Sequence, residues 1–173
     1  AGLVIGVIVA GAGWLGALVD PWTGALAALV AWVWATGALH LDGLADLSDG
    51  LGAAHGDRSR LLAVMADPHI GSFGVVALAM QLIAKLVLLH RVPPEGWPWI
   101  ALIPAAARIG PLVWARMLPP LKPSGLGAMV AKAVRPVDMI GWIFAALVLG
   151  LLYPPVAVAP IVLMALSLWF RRK

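Results

Sequence analysis

Apolar residues run for membrane-crossing lengths along most of this chain, and the polar residues are gathered into a few short intervals between those runs. Six apolar stretches, at about 3–19, 23–41, 70–90, 97–117, 137–153 and 156–170, predict six helical spans, because a bilayer core requires roughly 20 apolar residues of helix. The separators carry turn chemistry: Asp20-Pro21, Val92-Pro-Pro-Glu-Gly96 and Tyr153-Pro-Pro155 combine the fixed φ of proline with residues that reverse the chain. The longest polar connection, His40 to His69, holds five of the eight acids. Trp14, Trp22, Trp97, Trp99, Trp142 and Trp169 mostly fall near predicted span ends, where interfacial aromatic belts form.

Composition strengthens the membrane reading. Hydrophobic residues make up 62% of the 173 and charged ones 12%, about half of what an ordinary soluble domain carries. The mean hydropathy is +0.98. The expectation is an all-α, polytopic transmembrane bundle, 1–173, forming a single integral-membrane domain in a lipid bilayer. A net charge of +4 invites a nucleic-acid reading. The basic residues, however, sit in short loops beside apolar spans, so nucleic acid is not expected as a partner. If all six stretches cross, Arg58, Arg60, Lys122, Lys132, Arg135, Arg171, Arg172 and Lys173 share one side and Arg91 stands alone on the other. Eight against one places the 42–69 and 118–136 loops on the cytoplasmic side. The absence of Cys removes disulfides, thiolate metal sites and cysteine nucleophiles.

The chemistry concentrates at Asp42-Gly-Leu-Ala-Asp46-Leu-Ser-Asp49-Gly50. Acids at i, i+4 and i+7 fall within roughly a 60° arc of a continuing helix. Like charges one turn apart repel, and a hard cation with all-oxygen ligands, Mg²⁺, Mn²⁺ or Ca²⁺ rather than zinc, answers that repulsion. The competing reading is a solvated helix end. Gly43 and Gly50 either bare the backbone for a phosphate group or allow close helix packing. Asp67-Pro68 precedes the third span, where Asp67 either caps that helix or joins the acids as a ligand. Arg108 lies deep in the fourth span and reads as functional or as part of a structural ion pair; Lys85 reads as structural, snorkelling to an interface. Arg116, Lys122, Lys132 and Arg135 surround Gly125 and Gly127 in a loop suited to pyrophosphate or to setting orientation. His40 points roughly 160° away from Asp42 and reads as a buried, hydrogen-bonded side chain.

Asp46-x-x-Asp49-Gly50-x-x-Ala53 followed by Asp67 resembles part of the Asp-rich signature of the CDP-alcohol phosphotransferases. That signature continues Ala-Arg where this chain has Ala53-Ala54, and its second Gly and fourth Asp fall on Ala63 and Gly71. A longer resemblance runs through Thr36-Gly-Ala-Leu-His40-Leu-Asp42-Gly-Leu-Ala-Asp46-Leu-Ser-Asp49-Gly50, Asp57-Arg58 and Asp67-Pro-His-Ile-Gly71-Ser-Phe-Gly74. These segments are similar to the cobalamin synthase, or adenosylcobinamide-GDP ribazoletransferase, family. His69 and Lys122 stand where that pattern leads one to expect arginine. The family's N-terminal segment and its C-terminal Thr-Gly-Asp segment are expected to lie outside this chain.

The resemblance implies a Mg²⁺-dependent transfer of GDP-activated adenosylcobinamide phosphate to α-ribazole or its 5′-phosphate, with release of GMP, at a bacterial or archaeal cytoplasmic membrane. Asp46, Asp49 and Asp67 are the expected metal ligands, with Asp42 a fourth ligand or the base. Arg108 is expected at the reacting groups, and Lys122, Arg58, Gly43 and Gly50 around the nucleotide. The alternatives are a lipid phosphotransferase of the CDP-alcohol type and a divalent-cation transporter. A homo-oligomer is compatible with the sequence.

Overall fold

The computed structural model describes residues 2–117 and 126–133 and isolated positions from 135 to 144. Among the described residues the chain is all-helical. The helices are α1 (Gly2–Ala17), α2 (Pro21–Ala35), α3 (Leu39–Ala54), α4 (Arg58–Val64), α5 (Ser72–His90), α6 (Trp97–Ile100), α7 (Ile103–Ala106), α8 (Ile109–Met117) and α9 (Leu126–Ala133). A 3₁₀ turn at Pro94–Gly96 joins α5 to α6. Two compact units are present, one over Leu3–Ile103 and a second from Pro104 onward.

The Asp20-Pro21 turn forms as its chemistry predicts. Asp20 caps α2 by accepting from the Trp22 and Thr23 backbone N–H groups at 2.8 and 3.2 Å. Pro21 takes the first helical position, where its missing N–H costs nothing. α1 and α2 then bury a core of Val9, Ala10, Ala25, Ala28 and Leu29 with Leu89, Trp97 and Ile100. Trp97 is only 2% exposed, so it anchors this core rather than the membrane interface expected of it. Its indole lies against Gly13, and the Ala101 carbonyl lies against Gly6; a Cβ at either glycine would collide with these groups. Small residues that let backbones approach are the usual packing device where lipid supplies no hydrophobic drive.

Two expected spans are broken. The 23–41 stretch turns through 82° between α2 and α3. The turn passes through Gly37 and Ala38, both at φ +58°. Ala38 is in the left-handed region, which costs an L-residue with a Cβ about 1–2 kcal/mol. The 97–117 stretch is divided among α6, α7 and α8, in a segment carrying Pro98, Pro104 and Pro111, each lacking an N–H for the helical ladder.

By length and composition, Ser72–His90 and Pro94–Ala115 are each able to cross a membrane, and the bent α2–α3 pair makes up to three. Among the described residues that is fewer than the four expected there; α1, at 16 residues, falls short on length. The stretches at 137–153 and 156–170 lie outside the described residues, apart from a few isolated positions in the first. On α5, Phe73, Val76, Met80, Ile83 and Val87 form an exposed apolar stripe at helical spacing, which suits contact with lipid.

Gly6→Ala and Gly13→Ala are expected to destabilise the protein by about 1–3 kcal/mol through overpacking, although alanine is the better helix former. Gly11→Ala, which meets nothing among the described residues, should be neutral or stabilising. Thermal unfolding in detergent checks the contrast; equal midpoints for all three would show that α1 does not pack against the Trp97 segment.

Candidate functional site

The acids of α3 do lie on one continuous helix, as their spacing predicts. Packing then separates them. α3 lies along α5 in the opposite direction: His40, near its start, meets Lys85, and Asp49, near its end, meets Gly71 and Gly74. Asp42 and Asp46 open into a cavity of about 590 Å³ between α3 and the α4–α5 connection. The far wall carries Asp67 and His69, and Leu41, Ile70 and Leu78 supply apolar surface. Three of the four expected ligands therefore face one space.

Asp67 is held by its own turn. Its Oδ1 accepts from the His69 backbone N–H at 2.9 Å and contacts His69 Nδ1 at 2.7 Å. These bonds, the backbone one foremost, hold its carboxyl below the ordinary carboxylate range. The capping role weighed for Asp67 falls to another residue. α5 begins at Ser72 rather than at Pro68, with Gly71 as its N-cap and no side chain of its own closing the first turn.

Asp49 closes it from α3. Oδ2 accepts from the Gly71 N–H at 2.7 Å and Oδ1 from the Gly74 N–H at 2.8 Å. A carboxylate at a helix N-terminus satisfies orphaned donors and meets the positive end of the helix dipole. Asp49 is 8% exposed, the one charged side chain among the buried described residues. A Cβ at Gly71 or Gly74 would collide with this carboxylate, so the two glycines make room for it. The signal was present in the sequence as Gly71-x-x-Gly74, at N-cap and N3 spacing; the partner 22 and 25 residues away was not.

The other expected residues are distributed as follows. Gly50 packs against α4, where a Cβ would meet Leu61 Cδ1 at 2.8 Å and Met65 Cγ at 3.0 Å, which is the close-packing reading. Gly43 is exposed and meets nothing among the described residues. Arg58 is exposed at the start of α4 and is not part of the cavity wall. In the second unit, the Arg108 Nη1 donates to the Pro104 carbonyl at 2.7 Å, closing the break between α7 and α8. Lys122 lies outside the described residues. His40 is hydrogen-bonded, as expected, to Thr36 and to Lys85, although its surface is exposed among the described residues. That makes Lys85 a contact of α3, a role its place in an apolar run did not reveal.

Chemically, Asp42, Asp46 and Asp67 offer an all-oxygen, anionic donor set, which fits a hard divalent cation and disfavours zinc or copper. Among the described residues no three His, Asp or Glu side chains stand close enough to form a ready-made cage. The three carboxylates thus face a common space without converging on one point.

Fold and site together define an all-helical protein, with helices long and apolar enough to cross a membrane, that presents carboxylates to a half-apolar cavity. The chain belongs to the cobalamin-5-phosphate synthase family, which it matches over residues 1–173. It is 56% identical over 170 residues to the adenosylcobinamide-GDP ribazoletransferase of Novosphingobium aromaticivorans, covering 98% of this chain and 67% of that one. The protein of the same name from Thiobacillus denitrificans is 58% identical over 133 residues, covering 76% of this chain and 53% of that one. The one from Laribacter hongkongensis is 50% identical over 140 residues, covering 79% and 57%. The matched region thus spans from about half to two thirds of these relatives. No solved structure matches the chain.

Asp49→Asn places an amide NH₂ against one of the two α5 donors and should cost about 1–3 kcal/mol. Gly74→Ala should destabilise through the same contact, and the double variant should cost less than the sum of the two, because both act on one interaction. Unfolding midpoints in detergent measure all three; strict additivity would show that Asp49 and the α5 N-terminus are independent.

Proposed function

We propose that this chain is the membrane-embedded catalytic part of a phosphotransferase that joins GDP-activated adenosylcobinamide phosphate to α-ribazole, or its 5′-phosphate, and releases GMP. The cavity carries the reading: Asp42, Asp46 and Asp67 face a space whose remaining wall, His69 apart, is apolar. Such a space suits a substrate with a pyrophosphate at one end and a bulky, largely uncharged ring at the other. The names of the relatives and the family match point to the same reaction.

Asp46 and Asp67 would hold Mg²⁺, or Mn²⁺, which would neutralise pyrophosphate oxygens, with Asp42 either a further ligand or the base. In the transfer, a ribose hydroxyl oxygen bonds to the phosphorus of the cobinamide phosphate as the bond from that phosphorus to GMP breaks. As the base, Asp42 would accept the hydroxyl proton; it lines the cavity near the start of α3. Asp67, oriented by its two contacts with His69, is proposed to supply negative charge to the cation. Asp49 supports the site by seating α5. Arg58, Arg108 and Lys122 are proposed to supply positive charge to the pyrophosphate and departing GMP, as guanidinium and ammonium groups do for phosphates.

The protein is proposed to lie in the bacterial or archaeal cytoplasmic membrane, with the six spans that its apolar runs predict. The eight-to-one distribution of loop cations supports a site that faces the cytoplasm.

Purified protein given adenosylcobinamide-GDP, α-ribazole and Mg²⁺ should release GMP; chelation should stop it, and Mg²⁺ or Mn²⁺ should restore it. Asp46→Asn and Asp67→Asn should each lower turnover by roughly 100-fold or more, as loss of a metal-holding group does, with the protein still folded. Normal turnover in both variants would make these carboxylates solvated surface charge. GMP release from neither acceptor form, with cation flux into sealed liposomes instead, would replace the transferase by a transporter.

A further inference from the structure

Lys85 lies well inside α5, in a helix long and apolar enough to span a membrane, where an ammonium group is expensive and marks a function or a partner. It does not simply extend toward an interface. Its Nζ is 3.1 Å from His40 Nε2 and 4.6 Å from the centroid of the Trp32 ring. An ammonium has donors and no acceptor, so His40 Nε2 accepts, and the imidazole proton is on Nδ1. That Nδ1–H donates to Thr36 Oγ1 at 3.1 Å. The Thr36 hydroxyl in turn donates to the Trp32 carbonyl at 2.8 Å, with the Val33 carbonyl at 3.2 Å. Every link runs in one direction, from the α5 ammonium to the last-turn carbonyls of α2.

The place of this chain of donors matters. Thr36 precedes the two left-handed residues, Gly37 and Ala38, and His40 follows them, so the links bridge the 82° turn between α2 and α3. Ala38 is a strained position that persists only where its surroundings hold it. Ala38, Leu41 and Asp42 also line the carboxylate cavity. A change in the turn is therefore carried directly into the placement of Asp42 and, one helical turn on, of Asp46.

We propose that Lys85 is a positioning residue: through His40 and Thr36 it sets the angle between α2 and α3, and with it the reach of Asp42 and Asp46 into the cavity. The effect on turnover rests on the transferase reading; the effect on the angle does not.

The chain contains no Cys, so spin labels introduced by Val30→Cys on α2 and Leu51→Cys on α3, both exposed, report the angle alone. In detergent-purified protein, the pulsed-resonance distance between them should be single and narrow. Lys85→Met should broaden or shift it, and Lys85→Arg, which keeps a cationic donor, should restore it. Thr36→Val removes the last link without changing any charge in the span and should reproduce the effect of Lys85→Met even if that variant folds poorly. Alongside the distance change, the Mg²⁺ concentration for half-maximal GMP release should rise by roughly 10- to 100-fold in Lys85→Met and recover in Lys85→Arg. An unchanged distance in Lys85→Met or Thr36→Val overturns the proposal, whatever the substrate. A changed distance in a protein whose parent releases no GMP upholds the clamp and sinks the transferase reading instead.

Discussion

The bond between Asp49 and the first turn of α5 is the interaction on which the site depends. A buried carboxylate is tolerated only when its charge is answered, and here the answer is a helix N-terminus: two orphaned N–H groups and the positive end of a dipole. Because those donors are 22 and 25 residues away, the bond also fixes the ends of the segment between α3 and α5. That segment contains α4 and the Asp67–His69 turn. Seating it brings Asp67 across from Asp42 and Asp46, so one buried charge assembles the cavity that three others line.

The second constraint is the turn at Thr36–Ala38. α2 is apolar almost throughout, and α3 carries three acids on 16 residues. A straight continuation would extend the acids along the axis of an apolar span, whereas the turn lays α3 along α5, where its outer face meets the cavity. The junction sets carboxylate oxygens and apolar wall side by side around one space. The exposed stripe on α5 and the glycine slots of α1 fit the same setting, in which lipid covers apolar surface and close backbone contact holds helices together.

The apolar helices, the Asp20-Pro21 turn and the α3 acid face were legible in the sequence, because each depends on residues within a few turns of one another, and the family resemblance was legible as motif residues. A period of 3.6, a proline after a capping acid and a run of motif residues are local facts. The number of continuous spans was less legible. Apolar runs measure length, and a run such as 23–41 does not disclose that Gly37 and Ala38 adopt left-handed backbone and turn the helix, nor does 97–117 disclose where its prolines divide it.

Tertiary structure alone decided where each acid of the cluster is placed. By spacing, Asp42, Asp46 and Asp49 are equivalent members of one arc, and nothing local separates a cavity-facing carboxylate from one committed to a distant helix. The presence of α5 against one side of α3 makes that distinction: it takes up both Asp49 oxygens and leaves Asp42 and Asp46 facing Asp67. Lys85 tells the same story in reverse. Its sequence neighbours are apolar and describe only the cost of its charge, while the groups that meet it, His40 and the Trp32 ring, are more than forty residues away and reach it only once α2, α3 and α5 have packed.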